Sequence, residues 1–128
     1  MATDTKSRKV VIVDGDSEVC DEVARALRNR GYEPVVRRRG AGLVKFVKDE
    51  KPATVVLELA LPDYDGNTLL KELKDDWDAK KVPVVVVSGY TSRLNYSGRE
   101  KAEAVLSKPF AMDDLMHQVE LAAAKKQD

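Results

Sequence analysis

The chain has 128 residues, 43% of them hydrophobic and 34% charged, which suits one domain around one buried core. Lys plus Arg and Asp plus Glu both number 22, so the formal net charge is zero, and nucleic-acid binding is not the expected task. No apolar run approaches the roughly 20 residues of a spanning helix, residues 1–7 are too polar for a signal peptide, and the single Cys20 excludes an intramolecular disulfide. The expectation is a cytoplasmic protein with neither a membrane nor a nucleic-acid partner.

Short apolar runs alternate with helical periods along the chain. Val10-Val11-Ile12-Val13 is a β-branched strand. Val19, Val23 and Leu27 then recur at helical spacing, with Asp16 or Ser17 as the cap and Arg30-Gly31 as a basic last turn with a glycine stop. Pro34-Val35-Val36 reads as a second strand, at a sheet edge because of its proline. The basic run that follows, Arg37-Arg38-Arg39, reads as a solvated loop. Leu43, Val44, Phe46 and Val47 mark a second helix that ends before Pro52. Thr54–Leu59 is the third strand; Leu69, Leu70, Leu73 and Trp77 mark the third helix; residues 82–87 form the fourth strand. Ser92–Lys101, polar and glycine-containing, is the weakest helix candidate. Residues 104–107 form a fifth strand, and Leu115, Met116, Val119, Ala122 and Ala123 line a final helix opened by Asp113 and Asp114.

The runs at 10–13, 54–59 and 82–87 are apolar on both faces, as central parallel strands covered by helices on both sides must be. Five such units predict an α/β, doubly wound, five-stranded parallel sheet of flavodoxin-like (βα)5 type, strand order 2-1-3-4-5. The expected domain runs over 9–124, with tails at 1–8 and 125–128. Sites in such sheets form at the carboxyl ends of strands. Asp14, Glu58 and Ser88 each follow apolar residues directly, Lys108 follows the fifth strand at 104–107, and the four therefore share that edge.

In order, Lys9-Val-Val-Ile-Val-Asp14-Gly-Asp16, Leu57-Glu-Leu-Ala-Leu-Pro-Asp-Tyr-Asp-Gly66, Val84-Val-Val-Val-Ser-Gly-Tyr90 and Ser107-Lys-Pro-Phe110 resemble the motifs of response-regulator receiver domains over nearly the whole chain. The resemblance implies phosphorelay signalling and a site in which Mg²⁺ assists phosphoryl transfer to an acid after the third strand. Glu58 occupies that acceptor position, Ser88 the position of the hydroxyl that binds the phosphoryl group, and Lys108 the position of its ammonium partner. By the same resemblance Asp14, Glu58 and the Ala60 backbone carbonyl are the metal-ligand positions, with Asp16 as a further candidate and a helix cap as its competing role. The Lys108-Pro109 bond is expected to be cis.

Three departures bear on that chemistry. Gly15 stands where the family has its second acid, Glu58 is a methylene longer than the usual aspartate, and Val105 replaces the aromatic residue that swings on activation. Any Mg²⁺ binding is expected to be weak, with Glu58 paired directly to Lys108. The Ser88-to-Lys108 interval is about two residues short for the family, and Lys101 stands where a glycine is common, so the fourth helix is expected to be truncated or irregular. The favoured reading is a pseudo-receiver, a protein-interaction module rather than an enzyme. It would meet a histidine kinase or downstream effector through the fourth helix, fifth strand and fifth helix, as a monomer or weak dimer. The alternatives are a receiver with weakened phosphotransfer and, remotely, a haloacid-dehalogenase-type phosphatase with Asp14 as nucleophile and Asp16 as general acid.

Overall fold

The computed structural model describes residues 7–125. Five parallel strands, β1 (Lys9–Val13), β2 (Glu33–Arg37), β3 (Thr54–Leu57), β4 (Val84–Ser88) and β5 (Ala104–Ser107), form one sheet in the order β2-β1-β3-β4-β5. Helices α1 (Ser17–Asn29), α2 (Leu43–Glu50), α3 (Gly66–Asp75), α4 (Tyr96–Lys101) and α5 (Met112–Lys125) connect and follow them. This is the doubly wound flavodoxin-like topology, with β2 and its Pro34 at one edge.

The strands are buried on both faces because the two-residue side-chain period feeds two separate cores. Val11, Val13, Val55, Leu57, Val84 and Val86 pack with Leu43, Leu69, Leu70 and Leu73 on the α2–α3 side. Val10, Ile12, Val56, Val85 and Val87 pack with Cys20, Val23, Leu27, Leu115, Met116 and Val119 on the α1–α5 side. Burying each Val or Leu of these layers contributes about 1.5–3 kcal/mol before the entropy of ordering is charged against it.

Several boundaries differ from the sequence reading. β3 stops at Leu57, not Leu59, and the chain turns away through a short antiparallel bridge between Ala60 and Asp65. β4 starts at Val84 because Pro83 has no N–H to give to the ladder. Trp77 does not belong to α3, which ends at Asp75; it lies on the following loop, 72% exposed. The 92–101 segment divides into a 3-10 turn at Thr91–Arg93 and the six-residue α4. Lys125, assigned to the C-terminal tail, is the last residue of α5, while residues 1–6 and 126–128 of the two expected tails lie outside the described residues.

Candidate functional site

Strand register brings the site together. Val13 pairs with Leu57, so Asp14 and Glu58 leave neighbouring strands side by side, and the Glu58 N–H donates to the Val13 carbonyl at 2.9 Å. Ser88 pairs with Ser107, and the Lys108 N–H donates to the Ser88 carbonyl at 3.0 Å. Four strands thus deliver two acids, a hydroxyl and an ammonium to one crevice. The Lys108-Pro109 peptide is cis.

Lys108 Nζ lies 2.8 Å from Glu58 Oε1 and 2.8 Å from Asp14 Oδ2. Both acids are only 6% exposed, and Ser88 is fully buried. The second oxygen of each acid is also engaged: the Ala60 N–H donates to Glu58 Oε2 at 3.1 Å, and the Asp16 N–H to Asp14 Oδ1 at 2.9 Å. The Ser88 hydroxyl accepts from the Tyr90 N–H at 3.0 Å. Burial pushes the Glu58 carboxyl up, but Lys108, Ser88 and the Ala60 amide together outweigh it and hold the group below its ordinary value. Burial likewise lowers Lys108, and hydrogen bonds from its ammonium to Asp14 and Glu58 reverse the sign, raising it.

The other named residues take different places. The Asp16 carboxylate caps α1, accepting from the N–H groups of Glu18 and Val19 at 2.9 and 3.4 Å. Ala60 sits on the exposed turn after Glu58 and pairs with Asp65. Gly15 presents no side chain; its carbonyl accepts a fork from Arg38, at 3.2 Å from Nε and 2.8 Å from Nη2. This arginine belongs to the run read as a solvated loop. Its position directly after an edge strand, and hence on the crevice side of the sheet, was the available signal. The double engagement of Lys108 was also not legible, because sequence order alone does not rank Asp14 against Glu58 as its partner.

This donor set does not fit the divalent cation that the receiver resemblance implies. Each acid has one oxygen on Lys108 and the other on a backbone amide, Gly15 offers no donor, and Asp16 is spent on α1. Among the described residues, no group of three or more His, Cys, Asp or Glu is placed to hold a metal ion. Hard cations need several oxygen ligands at once.

Comparison with known proteins accords with the fold. A family model described as the response regulator receiver domain matches residues 10–120. The chain belongs to that family. It is 33% identical over 122 residues to the transcriptional regulatory protein PrrA of Mycobacterium tuberculosis, covering 93% of this chain and 51% of that protein. The chain therefore spans about half the length of the curated relatives it matches. Among solved structures it resembles the BeF3-activated N-terminal receiver domain of Klebsiella pneumoniae RstA, with 29% identity, a TM-score of 0.78, and coverage of 90% of this chain and 97% of that one. A CheY-like receiver domain from Methanospirillum hungatei matches at a TM-score of 0.84 and 22% identity, covering 94% and 96% of the two chains, and carries the fold comparison. This receiver domain is thus of the two-component response-regulator type, and receiver domains interact with kinases or effectors. No helix among the described residues is long and apolar enough to cross a membrane.

Proposed function

We propose that this chain is a pseudo-receiver: a receiver fold kept as a protein-interaction module of a two-component pathway, without aspartyl phosphorylation and without enzymatic activity. The observation that carries the reading is the Lys108 ammonium bridging Glu58 and Asp14 at 2.8 Å each, at the acceptor position of the family. In a working receiver the acceptor carboxylate must attack phosphorus in line, and misplacement by about 1 Å is costly. Glu58 is longer by a methylene and has both oxygens occupied, so its nucleophilic pairs face a cation and an amide rather than an incoming phosphoryl group. The bridged pair places a fixed negative charge beside Ser88 and Lys108, a permanent stand-in for a phosphorylated acceptor.

Two more features support an unswitched module. Val105, half-buried on β5, has no aromatic ring to exchange between inward and outward positions. The Thr91 and Ser107 hydroxyls stand 3.0 Å apart, and Arg99 donates to the Thr91 carbonyl at 2.9 Å, tying the β4–α4 connection to β5 and α4. The partner surface of this reading is the α4–β5–α5 face, where Tyr96 and Leu121 are exposed. A phosphatase role finds no support in Asp16, whose Oδ1 is committed to capping α1.

The test is incubation with acetyl phosphate and Mg²⁺ followed by intact-mass measurement. The expected spectrum shows unmodified chain. A stoichiometric phosphoryl adduct mapped to Glu58 overturns the reading in favour of a working receiver.

A further inference from the structure

At the opposite end of the sheet, where β4 and β5 begin, lies a second cavity of about 630 Å³. Lys74, Lys80, Lys81 and Lys125 line it, with Pro83 and the single acid Glu103. The five residues of β4 separate it from the Ser88 crevice by ~16 Å at the usual rise per residue. The chain as a whole has no net charge, so four ammonium groups against one carboxylate is a local concentration of positive charge.

Among the described residues, three of these charges form no ion pair. Glu103 is taken by Lys125 at 3.1 Å. Lys74, half-buried in the last turn of α3, spends its protons on neutral acceptors, the carbonyls of Val82 at 2.7 Å and Lys80 at 3.2 Å. Lys80 lies over the face of Trp77, 4.0 Å from the ring centre. Lys81 meets no carboxylate among the described residues. Of the nearby acids, Asp75 is committed to Lys71, and Asp76 to Lys48 and to the N–H groups of Asp78 and Ala79, while Asp78 forms an ion pair with none of the three lysines. Lys74, Lys80 and Lys81, gathered with no ion pair among the described residues and one of them partly desolvated, gain most from an anion bearing several charges close together. The cavity volume lies in the range of small-molecule sites.

We propose that this cavity binds a small polyphosphate anion, with Lys74, Lys80 and Lys81 as the phosphate ligands. Lys80 couples the site to Trp77, whose exposed ring is placed to take a planar base if the polyphosphate is that of a nucleotide. The site is separate from the Glu58 crevice and does not depend on how that crevice is read.

The test is isothermal titration of the 128-residue chain at low salt, without divalent metal, using sodium tripolyphosphate in one arm and ATP in the other. Fluorescence of Trp77, the only tryptophan, serves as a second readout. Saturable binding tighter than about 1 mM is expected, weakened roughly tenfold or more by Lys80→Ala/Lys81→Ala and by raising the salt. Equal affinities in the two arms assign the ligand to the polyphosphate alone; tighter ATP binding adds the base on Trp77. No saturable heat from either anion, binding that the double substitution leaves unchanged, or heat from hexaglutamate but from neither phosphate overturns the proposal. Circular dichroism of the variant checks that the substitutions, at exposed Lys80 and half-buried Lys81, leave the fold in place.

Discussion

Glu58 and Lys108, from the ends of β3 and β5, meet at 2.8 Å although β4 runs between their strands. The lysine reaches over the Ser88 end of β4 and continues to Asp14, so one ammonium compensates two acids that are almost wholly buried. Removing that ammonium leaves two uncompensated carboxylates. Lys108→Ala is therefore expected to destabilise the fold by about 3 kcal/mol in denaturant melts. Lys108→Met combined with Glu58→Gln should recover a large part of the loss, because the remaining acid, Asp14, then faces a neutral neighbour. Lys108→Met alone keeps the packing of the stem but not the charge, so a stability close to that of the parent chain would show that the ammonium works through packing rather than charge.

Acid should expose the same relationship. The Glu58 carboxyl lies below its ordinary value of 4.5 in the fold, so its contribution is fully present above that pH and is lost as pH falls through the lowered native value. Glu58→Gln has no such proton to take up. Between pH 7 and 3 the melting temperature of the parent chain should fall more steeply than that of the variant, and parallel curves would count against the pairing.

Restoring the family's acids is the direct test of what Gly15 and Glu58 removed. A Cβ on Gly15 would lie 3.3 Å from Pro62 Cδ, a contact that a shift of a few tenths of an ångström in the proline ring relieves. Gly15→Asp/Glu58→Asp is thus expected to fold, to bind Mn²⁺ saturably in electron paramagnetic resonance titrations, and to gain one phosphoryl group from acetyl phosphate. Arg38 holds the Gly15 carbonyl and stands beside the new carboxylate. Adding Arg38→Ala should therefore tighten Mn²⁺ binding further. A folded double variant that binds no metal would place the defect elsewhere in the scaffold.

Much of this architecture was legible because it depends on local pattern. The β-branched runs at 10–13 and 84–87, apolar on both faces, require a covered parallel sheet, and Pro34 requires an edge. Strand ends followed at once by Asp14, Glu58, Ser88 and Lys108 then fix the crevice. What escaped was set by tertiary geometry. Leu59 is apolar and buried, so periodicity extends β3 through it, yet the ladder ends at Leu57 where the chain must turn toward the Ala60–Asp65 bridge. Trp77 carries an apolar label but lies past the end of α3, where Lys80 covers one face of its ring. Arg38 looked like part of a solvated run because a carbonyl acceptor beyond the end of the neighbouring strand leaves no trace in composition.

Cys20 reports on the buried side of the crevice. Its thiol donates to the Asp14 carbonyl at 3.2 Å, and burial, followed by the nearby Asp14 charge, pushes it up to about 11. The thiolate is the reactive form. Native chain at pH 8 should accordingly resist Ellman's reagent for hours and react at once in 6 M guanidinium. Rapid labelling of the native protein would mean that α1 opens away from β1 far more readily than its packing implies.

Gly66 sets the turn that delivers Glu58. Its N–H donates to the Leu59 carbonyl at 2.8 Å, and a Cβ there would lie 2.4 Å from Leu59 Cα and 2.8 Å from Leu59 O, distances that backbone atoms cannot accept. Gly66→Ala must therefore push α3 away from the 59–65 turn or distort the turn itself. The Ala60 amide that holds Glu58 Oε2 belongs to the same turn. The substitution is expected to cost about 3 kcal/mol or more and also to loosen the Glu58 carboxylate, raising its pKa toward the ordinary value. Carboxyl-resolved NMR titration of Gly66→Ala against the parent chain separates the two effects: a stability loss with an unmoved Glu58 would confine the role of the glycine to α3 packing.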